Sequence, residues 1–371
     1  MAPEVDARAM TLHSFHVIGS RHWGGAERFY CRLSAALAER GQPVTAVLPA
    51  ASELRGELPA GVRQLHIGMR SVWDLWSAFQ LRRRIQELTP QIVQTYMGRA
   101  TRLTRLPTGR APVHIARLGG YYNLKGYRHA HAWIGNTRDL CDYLLRSGLP
   151  SNRVFQIGNF VDPPAPVNHD TLAALHHKLE LPENARVVLG MGRFHPNKGF
   201  EDLLSAFVQL FKHRSIAGSD RPLYLLIVGD GPLRSSLQRH ARELKMEARV
   251  IWPGWQKDVT PYYALAEVFM CPSRHEPLGN VILEAWAHGV PVIATRTKGA
   301  CELITDGENG LLVDVGDARD LAACLQQLLT ETSGARQRLI DGGHKTLALK
   351  HGREAIVTAY LDLYQRLLGS L

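Results

Sequence analysis

At 371 residues the chain is long enough for two domains with separate cores, and its 45% hydrophobic content is that of an ordinary water-soluble protein. No apolar run approaches the length that spans a bilayer, and the opening stretch, Met1 to Met10, is polar and acidic-leaning, unlike a secretory signal. The 44 basic and 34 acidic side chains leave a formal charge of +10, which suits nucleic acid, an anionic membrane or a phosphorylated substrate as partner.

In chain order, Leu12 to Ile18 is a predicted strand, followed by the glycine-rich turn Gly19 to Glu27. Ala26, Phe29, Tyr30, Leu33, Ala36 and Leu37 then recur at helical spacing, and Gly41 ends that helix. Ser71 is placed to cap a helix to about Leu88 that bears Trp73, Trp76, Phe79 and Arg82-Arg83-Arg84. Two readings of it stand: its apolar side is core and its arginines are solvated, or it rests on an anionic membrane. Ile92 to Tyr96 and Val113 to Leu118 are predicted strands, each followed by a loop. These loops carry Tyr96, Arg99, Arg102 and Arg105, then Arg117, Tyr121, Tyr122, Lys125 and Arg128. Arginines interleaved with tyrosines at strand ends suit a phosphorylated sugar, giving ion pairs to phosphate and stacking faces for rings; the plain alternative is solubilising charge. Ala132 to Ile134 and Val154 to Ile157 are further strands, and the proline run ending at Pro166 is a linker.

The second half alternates more cleanly: a strand from Arg186, a helix over Gly199 to Lys212, and strands at Leu223 to Val228 and Val250 to Trp252. Val268 to Cys271, Val290 to Thr295 and Leu311 to Val313 are also strands, with helical segments at Asn280 to His288, Leu321 to Leu329 and Arg353 to Leu368. Such alternation predicts an α/β, doubly wound parallel sheet.

The chain is organised around Ser273 to Trp286, closing at Gly289-Val290-Pro291. A strand, a loop, a helix and a strand in so short a span pair in parallel, so the loop lies at the carboxyl end of a strand, where α/β sheets bind ligands. N–H groups around Gly279 to Val281 would face an anion there. Glu276 in the loop and Glu284 about a turn into the helix suit sugar hydroxyls; otherwise Glu276 is solvated and Glu284 is a helix acid favoured by the dipole. On the loop after Arg186 to Gly192, Arg193 and Lys198 have the chemistry to neutralise a diphosphate, or are surface charge. The five cysteines (Cys31, Cys141, Cys271, Cys301, Cys324) form no Cys-x-x-Cys pair, which favours reduced thiols over a disulfide frame or zinc. No Asp-x-Asp motif occurs, and none of the 17 histidines has zinc-protease spacing.

The stretch Pro272-Ser273, Glu276, Leu283-Glu284-Ala285 and Gly289 to Ala294 resembles the donor-site motif of retaining glycosyltransferases of the GT-B fold, family 4 in particular. Gly24-Gly25-Ala26-Glu27, Arg193 with Lys198-Gly199, Gly229-Asp230-Gly231-Pro232 and Asn159 to Asp162 resemble other family segments. Two departures stand out: Pro277-Leu278 where the family usually has Gly-Phe, and Leu118-Gly119-Gly120 where many members carry a histidine. The resemblance implies two Rossmann-like domains facing across a cleft, with residues 1–165 binding acceptor and 166–350 binding nucleotide sugar. Residues 351–371 would form a helix packing back on the first domain.

By the same resemblance Glu276, Arg193 and Lys198 are the catalytic residues. Glu284, Gly24, Gly25, Leu278, Gly279, Asn280, Val281 and His275 line the donor. Tyr96, Arg99, Arg117, Tyr121, Tyr122 and Lys125 are the acceptor candidates. No metal and no cofactor are implied; the donor is a nucleotide-diphosphate sugar, with a UDP-sugar favoured. The acceptor is an anionic glycan or glycolipid of lipopolysaccharide or other cell-surface polysaccharide synthesis. That places the enzyme in the cytoplasm, with the inner membrane surface as a partner and no nucleic acid. Two alternatives remain at this point: a nucleotide-sugar 2-epimerase of the same fold, and a basic nucleic-acid-binding protein.

Overall fold

The structure, a computed structural model, describes residues 11–211, 221–330 and 334–370; Met1 to Met10 and the Lys212 end of the predicted helix lie outside the described residues. The chain forms two compact units, one made of residues 1–159 with 353–371 and the other of residues 160–352. The turnover falls just before the proline run, and the C-terminal helix belongs to the first unit.

In the first unit the elements are β1 (Ser14–Ile18), α1 (Gly25–Glu39), β2 (Val44–Leu48), β3 (Arg63–His66), α2 (Leu75–Leu88), β4 (Ile92–Tyr96) and α3 (Met97–Leu103). They continue with β5 (Val113–Leu118), β6 (Ala132–Gly135), α4 (Arg138–Arg146) and β7 (Val154–Gln156). The seven strands are parallel in the order β3-β2-β1-β4-β5-β6-β7. Every residue of β1, β2, β4, β5 and β6 is buried, as a sheet with helices on both faces requires.

The second unit holds α5 (His169–Lys178), β8 (Arg186–Met191), α6 (Phe200–Leu210), β9 (Leu223–Val228), α7 (Arg234–Glu243), β10 (Val250–Gly254), α8 (Thr260–Leu265) and β11 (Val268–Cys271). After them come α9 (Asn280–Ala287), β12 (Val292–Thr295), α10 (Lys298–Leu303), β13 (Leu311–Val313), α11 (Ala318–Thr330) and α12 (Ala335–Lys350). Its six parallel strands run β10-β9-β8-β11-β12-β13. Side-chain alternation splits the core into two layers: Val187, Leu189, Leu226 and Val228 enter one, Val188, Leu225 and Ile227 the other. Both sheets have the doubly wound order, in which the first strand of the unit lies inside the sheet, third from one edge.

The last helix, α13 (Arg353–Leu368), packs on α1 and β4 of the first unit. Tyr360 lies tilted against Phe29, with ring centroids 6.1 Å apart, and Tyr364 Oη donates to Gln94 Oε1 at 2.9 Å. Arg40 pairs with Glu354 and Arg353 with Glu39 at the helix start.

Helix α2 corrects one expectation. Its cap is Asp74, not Ser71: the Asp74 carboxylate accepts from Ser77 N at 3.0 Å and from Arg70 N at 2.9 Å, while Ser71 only closes a turn onto Trp73 N. Its buried face consists of Ser77, Leu81 and Ile85, so Trp73, Trp76 and Phe79 are not core but stand in solvent. Arg99 and Arg102, expected on a loop, lie on α3. Among the described residues no helix is long and apolar enough to cross a membrane.

Candidate active site

In the second unit β8 and β11 are neighbours, and the chain leaves them toward opposite edges of the sheet. The crevice beyond their carboxyl ends is the switch point where open α/β sheets take ligands. Two loops meet there, Gly192 to Gly199 after β8 and Pro272 to Gly279 after β11. They are stitched by backbone: Arg274 N and His275 N donate to the Asn197 carbonyl at 2.8 and 3.1 Å. Gly199 makes the join possible, because its φ is +62° and a Cβ there would lie 2.0 Å from the Pro272 carbonyl oxygen. Arg274 reaches back to the Asp202 carboxylate with a two-pronged contact, 2.9 Å from Nε and 2.8 Å from a terminal nitrogen.

This join brings Lys198 against Glu276. The ammonium donates to Oε2 of Glu276, and Ser273 Oγ donates to the same oxygen at 3.3 Å. Burial works against the lysine charge, the glutamate works for it, and the balance leaves Lys198 above its usual pKa. Beneath the pair, Cys271 has its thiol pushed up, by burial first and then by the Glu276 charge, so it is a neutral packing group. Arg193 stands exposed at the start of the first loop and makes no ion pair among the described residues. His275 is exposed beside Glu276.

Helix α9 begins at Gly279, whose φ of +97° turns the chain into it. Leu278 and Gly279 are buried, Asn280 and Val281 half-buried at its first turn, and Glu284, the fifth helical residue, is buried at 6% exposure. The helix is fixed from outside the site: Trp286 Nε1 donates to the Asn309 carbonyl at 2.8 Å, and Tyr263 stacks on His288 at 4.6 Å. The structure thus gathers Lys198, Glu276 and the α9 N-terminus at one place, with Arg193 on the adjoining loop.

Two contributors were missed in the sequence. Gly299, near the start of α10, donates its N–H to the Glu276 carbonyl at 3.0 Å, and a Cβ there would meet the Leu278 backbone at 2.6 Å. Thr295 donates its hydroxyl to the Ser273 carbonyl. The signal available was the run Thr295 to Gly299: a threonine cap, Thr297, accepting from Ala300 N, with a glycine inside the first turn.

In the first unit Gly24 is the extended N-cap of α1, and Gly25 is its first, exposed residue. Glu27, buried at the third helical position, folds its carboxylate back over Gly24; a Cβ on Gly24 would lie 2.6 Å from it. The six acceptor candidates divide. Tyr96 is buried, accepting from Gln94 Nε2 at 2.7 Å and bonded to His16 Nδ1 at 2.9 Å. Arg117 is buried as well: Nε donates to Tyr360 Oη at 2.9 Å, a terminal nitrogen to Asn159, and its plane lies 4.0 Å from the Phe29 ring. Arg99 spans the Gly19 and Met69 carbonyls at 2.9 and 3.2 Å. These three are internal braces that offer a ligand little. Tyr121, half-buried, donates to Asp139; Tyr122, also half-buried, stacks on Tyr127 at 6.0 Å, and Lys125 is exposed. Burial, then the charge of Glu27, pushes the Tyr122 phenol up, against Arg117. Among the described residues no group of three or more His, Cys, Asp or Glu side chains gathers so as to hold a metal ion.

Comparison with known proteins agrees with this arrangement. Residues 185–331 match the family model "Glycosyl transferases group 1", and residues 23–164 match "Glycosyltransferase Family 4". The lipopolysaccharide core biosynthesis glycosyltransferase LpsE of Rhizobium meliloti is 36% identical over 343 residues, covering 92% of this chain and 95% of that protein. A glycosyltransferase from Rickettsia africae superposes with a TM-score of 0.82 at 19% identity, over 97% of this chain and 99% of that one. Anabaena Alr3699/HepE, solved in complex with UDP-glucose, does so at 0.79 and 19%, over 97% and 100%. The two doubly wound sheets, the switch-point cluster and the full-length likeness to LpsE make the chain a glycosyltransferase, a member of glycosyltransferase family 4 with the GT-B fold.

Proposed function

We propose that this enzyme transfers a sugar, with retention of configuration and without a metal ion, from a UDP-sugar to a growing lipid-linked glycan of the lipopolysaccharide core. The observation that carries the donor half is the pairing of Lys198 with Glu276 beside the N-terminus of α9. Cationic groups for a diphosphate and a carboxylate for sugar hydroxyls stand side by side there. Arg193, Lys198 and the helix end supply the positive charge that a metal supplies elsewhere. In the reaction the anomeric carbon–phosphate oxygen bond breaks, the acceptor oxygen bonds to the same face of that carbon, and the acceptor proton passes to the departing diphosphate. The name and the near-complete overlap of LpsE support a core glycan as acceptor. The complex of Alr3699/HepE with UDP-glucose supports a uridine donor. In the first unit, Lys125, exposed, and Tyr122, half-buried, remain the acceptor candidates. Lipid-linked core is built at the inner leaflet, so the enzyme works on the cytoplasmic side of that membrane; five free cysteines are in keeping with a reducing compartment.

The two glutamates test the reading. Glu284 accepts from the ribose hydroxyls and Glu276 from those of the transferred sugar. Glu284→Gln should weaken binding of bare UDP about tenfold or more, the loss of a charged hydrogen bond. Glu276→Gln should leave UDP binding unweakened and lower turnover of the sugar donor. Calorimetry with UDP and initial rates with donor decide it: parent-like behaviour of both variants would sink the assignment.

A further inference from the structure

Helix α2 has two apolar faces, and the fold uses one. Ser77, Leu81 and Ile85 point into the first unit. On the other side Leu75 is 81% exposed, Trp76 66% and Phe79 55%, and Trp73, just before the Asp74 cap, is 71% exposed. These are four of the eight large apolar side chains exposed among the described residues, and they fall within seven consecutive positions. Scattered exposed leucines need no explanation, but a contiguous patch of this kind does. The rings are ordered against each other: Trp76 and Phe79 stack at 5.5 Å, and the Arg102 guanidinium lies 3.9 Å over Trp73.

Charge decides what covers the patch. One turn beyond Phe79 come Arg82, Arg83 and Arg84, all exposed. The acids nearby are committed: Asp74 caps the helix, and Glu87 is shared by Arg83 at 2.7 Å and Arg84 at 2.8 Å. Leu75, Phe79 and Arg82 are spaced four and three residues apart, so they lie along one line of the helix surface, apolar first and basic after. Tryptophans beside arginines are the composition that settles at the boundary of acyl chains and anionic headgroups.

We propose that this outer face of α2, Leu75 to Arg84, together with Trp73 just before it, is a docking surface for an anionic phospholipid bilayer. The rings and Leu75 enter the headgroup boundary while the arginines contact lipid phosphates. The inference extends the reading of a lipid-linked acceptor, but the patch itself carries it, and its test involves no sugar. Failure of the donor or acceptor assignments therefore leaves this test intact, and the converse holds.

The full-length chain is mixed with vesicles of equal parts phosphatidylglycerol and phosphatidylcholine, or of phosphatidylcholine alone, at low and moderate salt. Co-sedimentation and the blue shift of tryptophan emission are read together. The parent should bind the anionic vesicles, more weakly as salt rises. Leu75→Ser/Trp76→Ala/Phe79→Ser, all at exposed positions, should bind about tenfold less or weaker still. Arg82→Gln/Arg83→Gln should keep weak binding and lose the preference for anionic lipid. Parent that stays in solution with anionic vesicles, or a triple variant that binds like the parent, overturns the proposal. So does sedimentation velocity showing a parent dimer that the triple variant dissolves, since the face would then belong to a second copy.

Discussion

Lys198 holds its charge because Glu276 lies against it, and that has two consequences at the level of single residues. Without a ligand the pair is satisfied internally, with Ser273 as a third partner. On the proposed reading, an entering diphosphate would meet an ammonium already held in place by Glu276. On that reading charge grows on the diphosphate as the sugar departs, and these cations would act mainly in the transition state. Removing one such donor typically costs about 2.7–4 kcal/mol in the barrier, or roughly two to three powers of ten in turnover. Lys198→Ala and Arg193→Ala should each show a loss of this size, and chelator added to the parent should leave its rate unchanged. The two variants should differ in stability. Lys198→Ala strands a carboxylate that is only 11% exposed, whereas Arg193 is exposed and braces nothing. Lys198→Ala should therefore melt at lower temperature than the parent and Arg193→Ala should not. Near-parent rates with both residues replaced would end the assignment, as would a strict requirement for a divalent ion.

At the scale of elements, the loop after β8 and the loop after β11 work as one piece, with Gly199 as the joint. Gly199→Ala should break it, because the new methyl has no room beside the Pro272 carbonyl and the backbone there has φ of +62°. We expect donor turnover to be lost and the melting temperature to fall by several degrees, consistent with a penalty of at least about 1–2 kcal/mol. A variant with parent-like rate and melting point would show that the two loops are not coupled through this residue. The sequence made much of this region legible. Short apolar runs marked β11 and β12, glycines marked both ends of α9, and the Lys198-Gly199 pair lay at the right place after β8. Other elements left no such trace. Strand β3 is an edge strand with Arg63 and His66 exposed, so it shows no apolar run. Helix α12 buries only Leu339 and Gly343, too little for a periodic stripe. Arg117 read as a surface cation because its partners, Asn159 and Tyr360, are 42 and 243 residues away in sequence. For α2, periodicity found apolar residues at helical spacing without saying which of two faces the fold would cover.

Considered whole, the molecule has two units with separate cores, and they differ in how they carry histidine. In the first unit a relay of hydrogen bonds runs inward from α13: Tyr364 Oη donates to Gln94, Gln94 Nε2 donates to Tyr96 Oη, and Tyr96 bonds His16 Nδ1 at 2.9 Å. With Tyr96 donating to Nδ1, the other ring nitrogen of His16 carries the proton and donates to Ser14 Oγ at 3.0 Å. Nothing acidic meets this ring, and burial lowers its pKa to about 3. His114 is equally buried: Thr95 bonds its Nε2 at 3.0 Å, its Nδ1 has no partner, and burial together with His129 and His131 holds it well below the usual value. A histidine whose folded pKa lies below its unfolded value near 6.5 binds protons preferentially in the unfolded chain. The stability at stake is fully present above pH 6.5 and is lost as pH falls toward the folded pKa. From pH 7 to pH 5 a histidine with the folded pKa of His16 removes about 2 kcal/mol from a typical domain's stability of about 5–15 kcal/mol, and His114 acts in the same direction. Both fully buried histidines among the described residues, His16 and His114, lie in the first unit. Acid should therefore open the first unit selectively. Hydrogen exchange at pH 5 and pH 7.5, corrected for intrinsic rates, should show β1, β4 and β5 losing protection while β8, β9 and β11 keep theirs. UDP should add protection chiefly in the second unit, which carries most of the proposed donor residues, since a ligand stabilises what binds it. Equal loss across both sheets, or histidine resonances of folded protein titrating near 6.5 for His16 and His114, would show that these rings do not set the acid limit.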